Sequence, residues 1–370
     1  MKIALVHDSI SEFGGAERVL EALLEIWPRA PIYTAFYKKG PAWDRFKDKE
    51  VHVSWANSIP FFATKLHSPF RFLAPLIWNS FNLSKYDIVI SSSSWYITKG
   101  FGGRRDGPVE ICYCHTPPRW LYGYETPVKK NWLVKSYILV VAHFVRMYDW
   151  KAAQKVNYFV ANSENVKKRI QKFYKREAVV IYPPVEVGWG NKGSGGKKGD
   201  YYLVVSRITG GKGIEMAVKA ANKLKVPLKI VGVASGYSDT CEWVKKNAGL
   251  TVEMLGYVKD PELARLYVGA KAFLALSPDE DFGITPVEAM SYGTPVIAYR
   301  SGGYLETVVE GKTGIFFDEY TVEGLIRGIR EVGKIRVREE DCRVQARKFS
   351  KERFKKGMKE FVEKTFKERK

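Results

Sequence analysis

Cysteine is scarce in this chain. The four present, Cys112, Cys114, Cys241 and Cys342, form neither a CxxC pair nor a metal-spaced set. That argues against a structural zinc site and points to a reduced, cytoplasmic protein. Long apolar runs are missing too. The first one, in MKIALVHDSI, is broken by Asp8 and is too short for a secretory signal. The most apolar later stretch, WLVKSYILVVAHFV, carries Lys135 and His143 and falls short of the roughly 20 residues a membrane span needs. Acid is the third shortage: 40 Asp and Glu stand against 60 Lys and Arg, a formal net charge of +20. Such a charge admits a nucleic-acid binder, but no recognition motif of that kind accompanies it, and no nucleic-acid partner is expected.

What is abundant is aromatic surface, 14% of residues, more than a soluble core needs, so part of it is expected to face a partner. At 370 residues the chain is long enough for two domains, each with its own core. Short β-rich runs alternate with amphipathic helical patterns. KIALVH, PIYTAFY, DIVISSS, VEICYCH, NYFVAN and AVVIYP come first, then YYLVVS, LKIVGV, TVEMLG, AFLALS and PVIAYR. This alternation predicts an α/β protein with parallel sheets covered by helices. Between the two series, residues 188–199 hold six glycines and three lysines, the composition of a linker or surface loop. Two doubly wound, Rossmann-like domains follow, residues 1–185 and 186–348, facing each other across a cleft with the ligand at the C-terminal ends of the strands. The tail places Phe354, Met358, Phe361 and Phe366 on one helical face, so a helix over 349–370 is expected to pack back on the first domain.

Three strand ends carry candidate chemistry. After the first strand, the pair Gly14 and Gly15 opens a helix whose N–H groups and dipole suit an anion, although a plain tight turn uses the same residues. At the start of the second domain, Arg207 and Lys212 bracket a glycine-bearing turn between a strand and a helix. A planar fork and a point charge together suit a diphosphate, while a merely solvated basic loop is the plainer alternative. Later, EDFGITPVE sets Glu280 and Glu288 in one short stretch. Thr285, Pro286 and Glu288 fit N-cap, N1 and N3 of a helix, which would make Glu288 the return arm of a capping box. Glu280 lies outside that scheme, and a carboxylate at a strand end accepts hydrogen bonds from vicinal hydroxyls such as a sugar or ribose presents. His115, in CHTPPR, also follows a strand, where a packed or turn histidine is as common as a functional one.

Taken together, the E-x7-E pair, the Arg207/Lys212 pair, GGAERV and CHTPPRWLY resemble the family-4 retaining glycosyltransferases of the GT-B fold. VANSENVKKRI, IYPPVEV, LGYVKDPELARLY and FSKERF resemble that family's corresponding segments, nearest to its mannosyltransferase-like members. The resemblance implies that Arg207 and Lys212 grip the donor diphosphate, that Glu280 contacts the donor sugar and that Glu288 holds the nucleotide ribose. It implies that the backbone around Phe282, Gly283 and Ile284 approaches the sugar and phosphates, that Gly15 faces the diphosphate from the other domain, and that His115 lies near the reacting sugar. It implies retaining transfer of a hexose, with GDP-mannose as the expected donor, to a glycan or lipid-linked acceptor, without metal or cofactor. A nucleotide-sugar epimerase on the same fold, or a UDP-sugar-dependent transferase, is the alternative.

An anionic membrane surface is the remaining expected partner, which would make the enzyme peripheral at the cytoplasmic face. Residues 51–105 hold six lysines and arginines against one acid, Asp87, interleaved with Trp55, Phe61, Phe62, Phe70, Phe72, Leu73 and Trp78. Lys65 and Arg71 are the cations expected to meet headgroups. Ordinary core beneath a solvated basic rim is the alternative reading of these aromatics.

Overall fold

The computed structural model describes residues 1–103, 106–124, 132–187, 199–234 and 239–368, with the side chains of 132–136 and 138 also outside that set. The expected linker, apart from Gly199, and the basic pair Arg104 and Arg105 therefore lie outside the described residues. The chain folds as two compact units. One is built from Met1–Tyr124, Lys130–Pro184 and Glu352–Lys370, the other chiefly from Val185–Lys351.

The first unit carries a seven-stranded sheet: β1 (Ile3–Ile10), β2 (Ile32–Tyr37), β3 (Val51–Val53), β4 (Ile88–Ser93), β5 (Val109–Cys114), β6 (Tyr158–Ala161) and β7 (Ala178–Val180). Their spatial order is β3-β2-β1-β4-β5-β6-β7, and every pairing is parallel. Strands buried on both faces read as nearly continuous apolar runs, as IALV and IVIS do. The order reverses between β1 and β4, which places the topological switch point, where open α/β sheets bind ligands, beside His7 and Ser92. The C-terminal helix Lys351–Glu368 buries Phe354, Met358 and Val362 in this unit's core, with Phe361 and Phe366 at its margin.

The second unit carries a six-stranded sheet: β8 (Tyr202–Val205), β9 (Leu228–Val231), β10 (Val252–Gly256), β11 (Ala272–Ala275), β12 (Val296–Tyr299) and β13 (Gly314–Phe317). The order is β10-β9-β8-β11-β12-β13, again parallel throughout. Its switch point falls between β8 and β11. The segments that leave those two strands carry Arg207 and Lys212 on one side and Glu280 on the other.

Strands β3 and β13, VHV and GIFF, each at a sheet edge, are the two that the pattern reading does not include. Two aromatics expected at the surface are core. Trp78 is buried with its indole N–H donating to the Tyr96 carbonyl at 2.8 Å, and Phe62 packs against Phe36 with ring centroids 6.0 Å apart. Arg71 is drawn inward too. Its guanidinium lies over the rings of Trp95 and Trp120, and burial lowers its pKa to about 10. The aromatics of this segment are thus divided between core and surface.

Candidate active site

In the second unit, the turn after β8 exposes Arg207, which has no ion-pair partner among the described residues. The chain then turns through Gly211 and Gly213, both at positive φ, into the helix Ile214–Leu224. At Gly213 (φ 70°) a Cβ would come within 2.5 Å of the Leu276 side chain, so glycine lets this turn seat directly on the segment leaving β11. The close approach brings Lys212 to Glu280, Nζ to Oε2 2.7 Å, with both side chains partly exposed.

Glu280 is held from three further directions. Its carbonyl accepts the Gly303 N–H at 2.9 Å. Gly302 (φ 55°) passes so close that a Cβ there would lie 2.3 Å from the same carbonyl oxygen. The carboxylate meets the buried Tyr304 hydroxyl, whose pKa is pushed up by burial and by Glu280 itself, so the phenol keeps its proton. The Tyr304 hydroxyl also accepts from the Ser277 N–H at 3.3 Å.

The next helix runs Ile284–Ser291, with Gly283 at φ 91° as its N-cap and no side chain capping it. The capping box, the alternative reading of Thr285 and Glu288, does not form. The left-handed Gly283 starts the helix before Thr285, which puts Glu288 in the second turn rather than at N3. Glu288 is instead buried and accepts a hydrogen bond from the Tyr267 hydroxyl at 2.8 Å. A carboxylate offers about four acceptor sites, and the Tyr267 phenol takes one of those of Glu288. Phe282 is buried edge-on against Phe349, centroids 5.2 Å apart, which leaves backbone rather than its ring to line the approach to the helix. The N–H groups of the first turn, including that of Ile284, have no intrahelical acceptors.

In the first unit, the N–H of Gly14 is occupied. It donates to Glu17 Oε2 at 2.9 Å across the start of the helix Gly15–Ile26. That corrects the expectation of a wholly unpaired glycine pair, because the anion-seeking first turn already holds one carboxylate oxygen of its own. The other, Oε1, lies 3.6 Å from His7 Nε2. His7 Nδ1 meets Ser92 Oγ at 3.0 Å, and Ser92 Oγ meets His115 Nε2 at 2.8 Å. Burial, with His7 as a neighbour, pulls the His115 imidazole down to about 3, so it is neutral at pH 7. The sequence reading identified His115 but missed Ser92 and His7, which only the β1/β4 register brings beside it. Tyr267 and Tyr304 escaped it likewise, since their contacts to Glu288 and Glu280 span more than 20 residues. Among the described residues, no group of three or more His, Cys, Asp or Glu is placed to hold a metal ion.

The chain matches known proteins along most of its length. Residues 13–189 match the family described as Glycosyltransferase Family 4, and residues 191–349 match Glycosyl transferases group 1. It is 27% identical to the alpha-1,3/1,6-mannosyltransferase ALG2 of Candida glabrata, over 84% of this chain and 78% of that protein. It is 29% identical to an uncharacterized glycosyltransferase of Methanocaldococcus jannaschii, over 46% of this chain and 48% of that one. Among solved structures it superposes on Anabaena HepE in complex with UDP at a TM-score of 0.72, with 18% identity, covering 98% of this chain and all of that one. The chain therefore belongs to the family-4 glycosyltransferases and has their GT-B fold.

Proposed function

We propose that this glycosyltransferase transfers mannose from GDP-mannose, with retention, to a glycan or lipid-linked acceptor. The observation that carries the reading is the 2.7 Å contact between Lys212 and Glu280 at the switch point of the second sheet, with Arg207 unpaired at the end of β8. One contact ties a cation suited to the diphosphate to a carboxylate suited to the sugar, so the two recognition elements are positioned together.

In this reading Arg207 and Lys212 bind the donor diphosphate, helped by the N–H groups around Phe282, Gly283 and Ile284. Glu280 receives hydrogen bonds from the sugar hydroxyls and Glu288 from the ribose. As the bond between the anomeric carbon and the β-phosphate oxygen breaks, negative charge develops on the phosphate, and two fixed cations and a helix N-terminus stabilise it without a metal. The acceptor hydroxyl forms its new bond on the same face, and its proton passes to the leaving phosphate. In the first unit, neutral His115 offers a hydrogen bond to a sugar hydroxyl.

The mannosyltransferase name of the Candida relative supports the sugar, whereas the UDP bound in the Anabaena structure supports a UDP-sugar as the second reading. Turnover with each nucleotide sugar decides between them. GDP release from GDP-mannose alone supports the first reading, and turnover only with a UDP-hexose replaces it.

A further inference from the structure

The helix Trp132–Lys155 leaves large apolar side chains in water on the side away from its packed face. Ala142, Val145, Ala152 and Ala153 supply its packed face. On the outer side Leu139 is 72% exposed and Val140 and Phe144 are each 61% exposed, with Met147 and Trp150 also at the surface. The sole acid in its described portion, Asp149, is buried against Lys99, while Lys151 and Lys155 are exposed. The apolar surface continues onto the neighbouring turns, where the Tyr137 hydroxyl reaches the Pro69 carbonyl. There Phe61 is 68% exposed and sits in the left-handed region (φ 61°), a conformation that strains a non-glycine residue. A π-helical turn, Phe62–Leu66, follows it and brings Lys65 over the Phe61 ring. Rare backbone geometry is thus spent on holding an aromatic ring and a cation out in water.

We infer that this face of the first unit, the outer side of helix Trp132–Lys155 with the Phe61 turn, docks in the plane of an anionic phospholipid bilayer. Charge chooses the occupant. The cations Lys65, Lys151 and Lys155 surround apolar side chains with no exposed acid in the helix, so two copies meeting through this face would set like charges together, whereas anionic headgroups neutralise them. None of the described helices is long and apolar enough to cross a membrane, which suits docking in the plane rather than spanning. The surface differs from the one composition pointed to, since Phe62, Trp78 and Arg71 leave it and the helix residues enter it. The inference rests on this surface and not on the identity of the donor.

The test is co-sedimentation of the full chain with phosphatidylcholine vesicles and with vesicles in which part of that lipid is replaced by phosphatidylglycerol. Binding should favour the anionic vesicles by at least tenfold and weaken as salt rises. The triple variant Phe61→Ser, Leu139→Glu, Phe144→Glu should lose that binding while keeping the parent's thermal midpoint and its rate of donor hydrolysis. A charge-matched control, Lys246→Glu at an exposed position of the second unit, should still bind. Equal binding by the triple variant and the parent overturns the inference, as does equal binding to both vesicle types or to neither. A parent that is a stable dimer in solution, split by the triple variant, would assign the face to a second copy instead. Loss of donor hydrolysis in every protein, the parent included, would count against the enzymatic reading and leave the docking result standing.

Discussion

Replacing Lys212 with alanine should separate catalysis from folding. Its ion pair with Glu280 is short, 2.7 Å, but the side chains are 26% and 20% exposed, and a pair this open to water is worth at most about 1 kcal/mol. Glu280 also keeps its Tyr304 contact and its backbone anchor at Gly303. The variant should therefore fold, with a stability loss of about 1 kcal/mol or less. Turnover is a different matter. Losing one preorganised charge contact to a developing phosphate charge costs about a hundredfold or more, roughly 3 kcal/mol of barrier. Glu280→Gln removes the charge that holds the lysine and should lower turnover too, by a different route. The double variant should then fall less than the product of the two single effects, because the residues act as a linked pair. The assay is release of nucleoside diphosphate at saturating donor, with thermal denaturation run alongside. If Lys212→Ala and Arg207→Ala both keep parental turnover, the diphosphate assignment is wrong. Loss of turnover only in proportion to lost folded protein would refute it equally.

Three further outcomes are expected. Glu288→Gln should leave the fold intact, since the amide oxygen still accepts from Tyr267, but raise the donor KM more than it lowers kcat; isothermal titration with the nucleoside diphosphate checks this. Gly302→Ala adds a Cβ into space occupied by the Glu280 carbonyl at a positive φ, so it should destabilise the protein by about 1–3 kcal/mol and cut turnover at least tenfold, as denaturant titration and kinetics will read. His115 titrates near 3 when folded and near 6.5 when unfolded, so the unfolded chain takes up the proton first and stability falls as pH drops through that window. His115→Gln should lose less stability than the parent between those pH values, whereas a constant parent–variant difference from pH 7 to 4 would contradict the buried neutral imidazole. The buried carboxyls Asp8 and Glu110, raised by desolvation, act with the opposite sign but are common to both proteins.

The sequence made the sheets legible because strands covered by helices on both faces must be apolar along their length, and IALV, IVIS and AFLA are. Edge strand β3 is only partly buried and leaves no such imprint, whereas β13, GIFF, buries three of its four residues and still escapes the pattern. Glycines announced the strand-end turns, yet composition alone could not say which peptide would adopt φ > 0. Gly283 did, and the helix began early enough to take Glu288 out of the capping box. Residues that act through long-range register, His7 and Ser92 toward His115, Tyr267 toward Glu288, Tyr304 toward Glu280, carry no local signal, for their meaning lies in a partner on another element. Surface reading failed in a similar way. Phe61 and Phe62 are adjacent and chemically identical, and only the backbone turn decides that one is exposed and the other is core.

The measurement that tests the central claim most directly is a panel of nucleotide sugars and nucleoside diphosphates, read by shift of the thermal midpoint and by slow donor hydrolysis in parent and Arg207→Ala proteins. The account predicts stabilisation by GDP and GDP-mannose, release of GDP from GDP-mannose, and loss of both in the variant. Stabilisation by no member of the panel, or equal stabilisation of parent and variant, would contradict it.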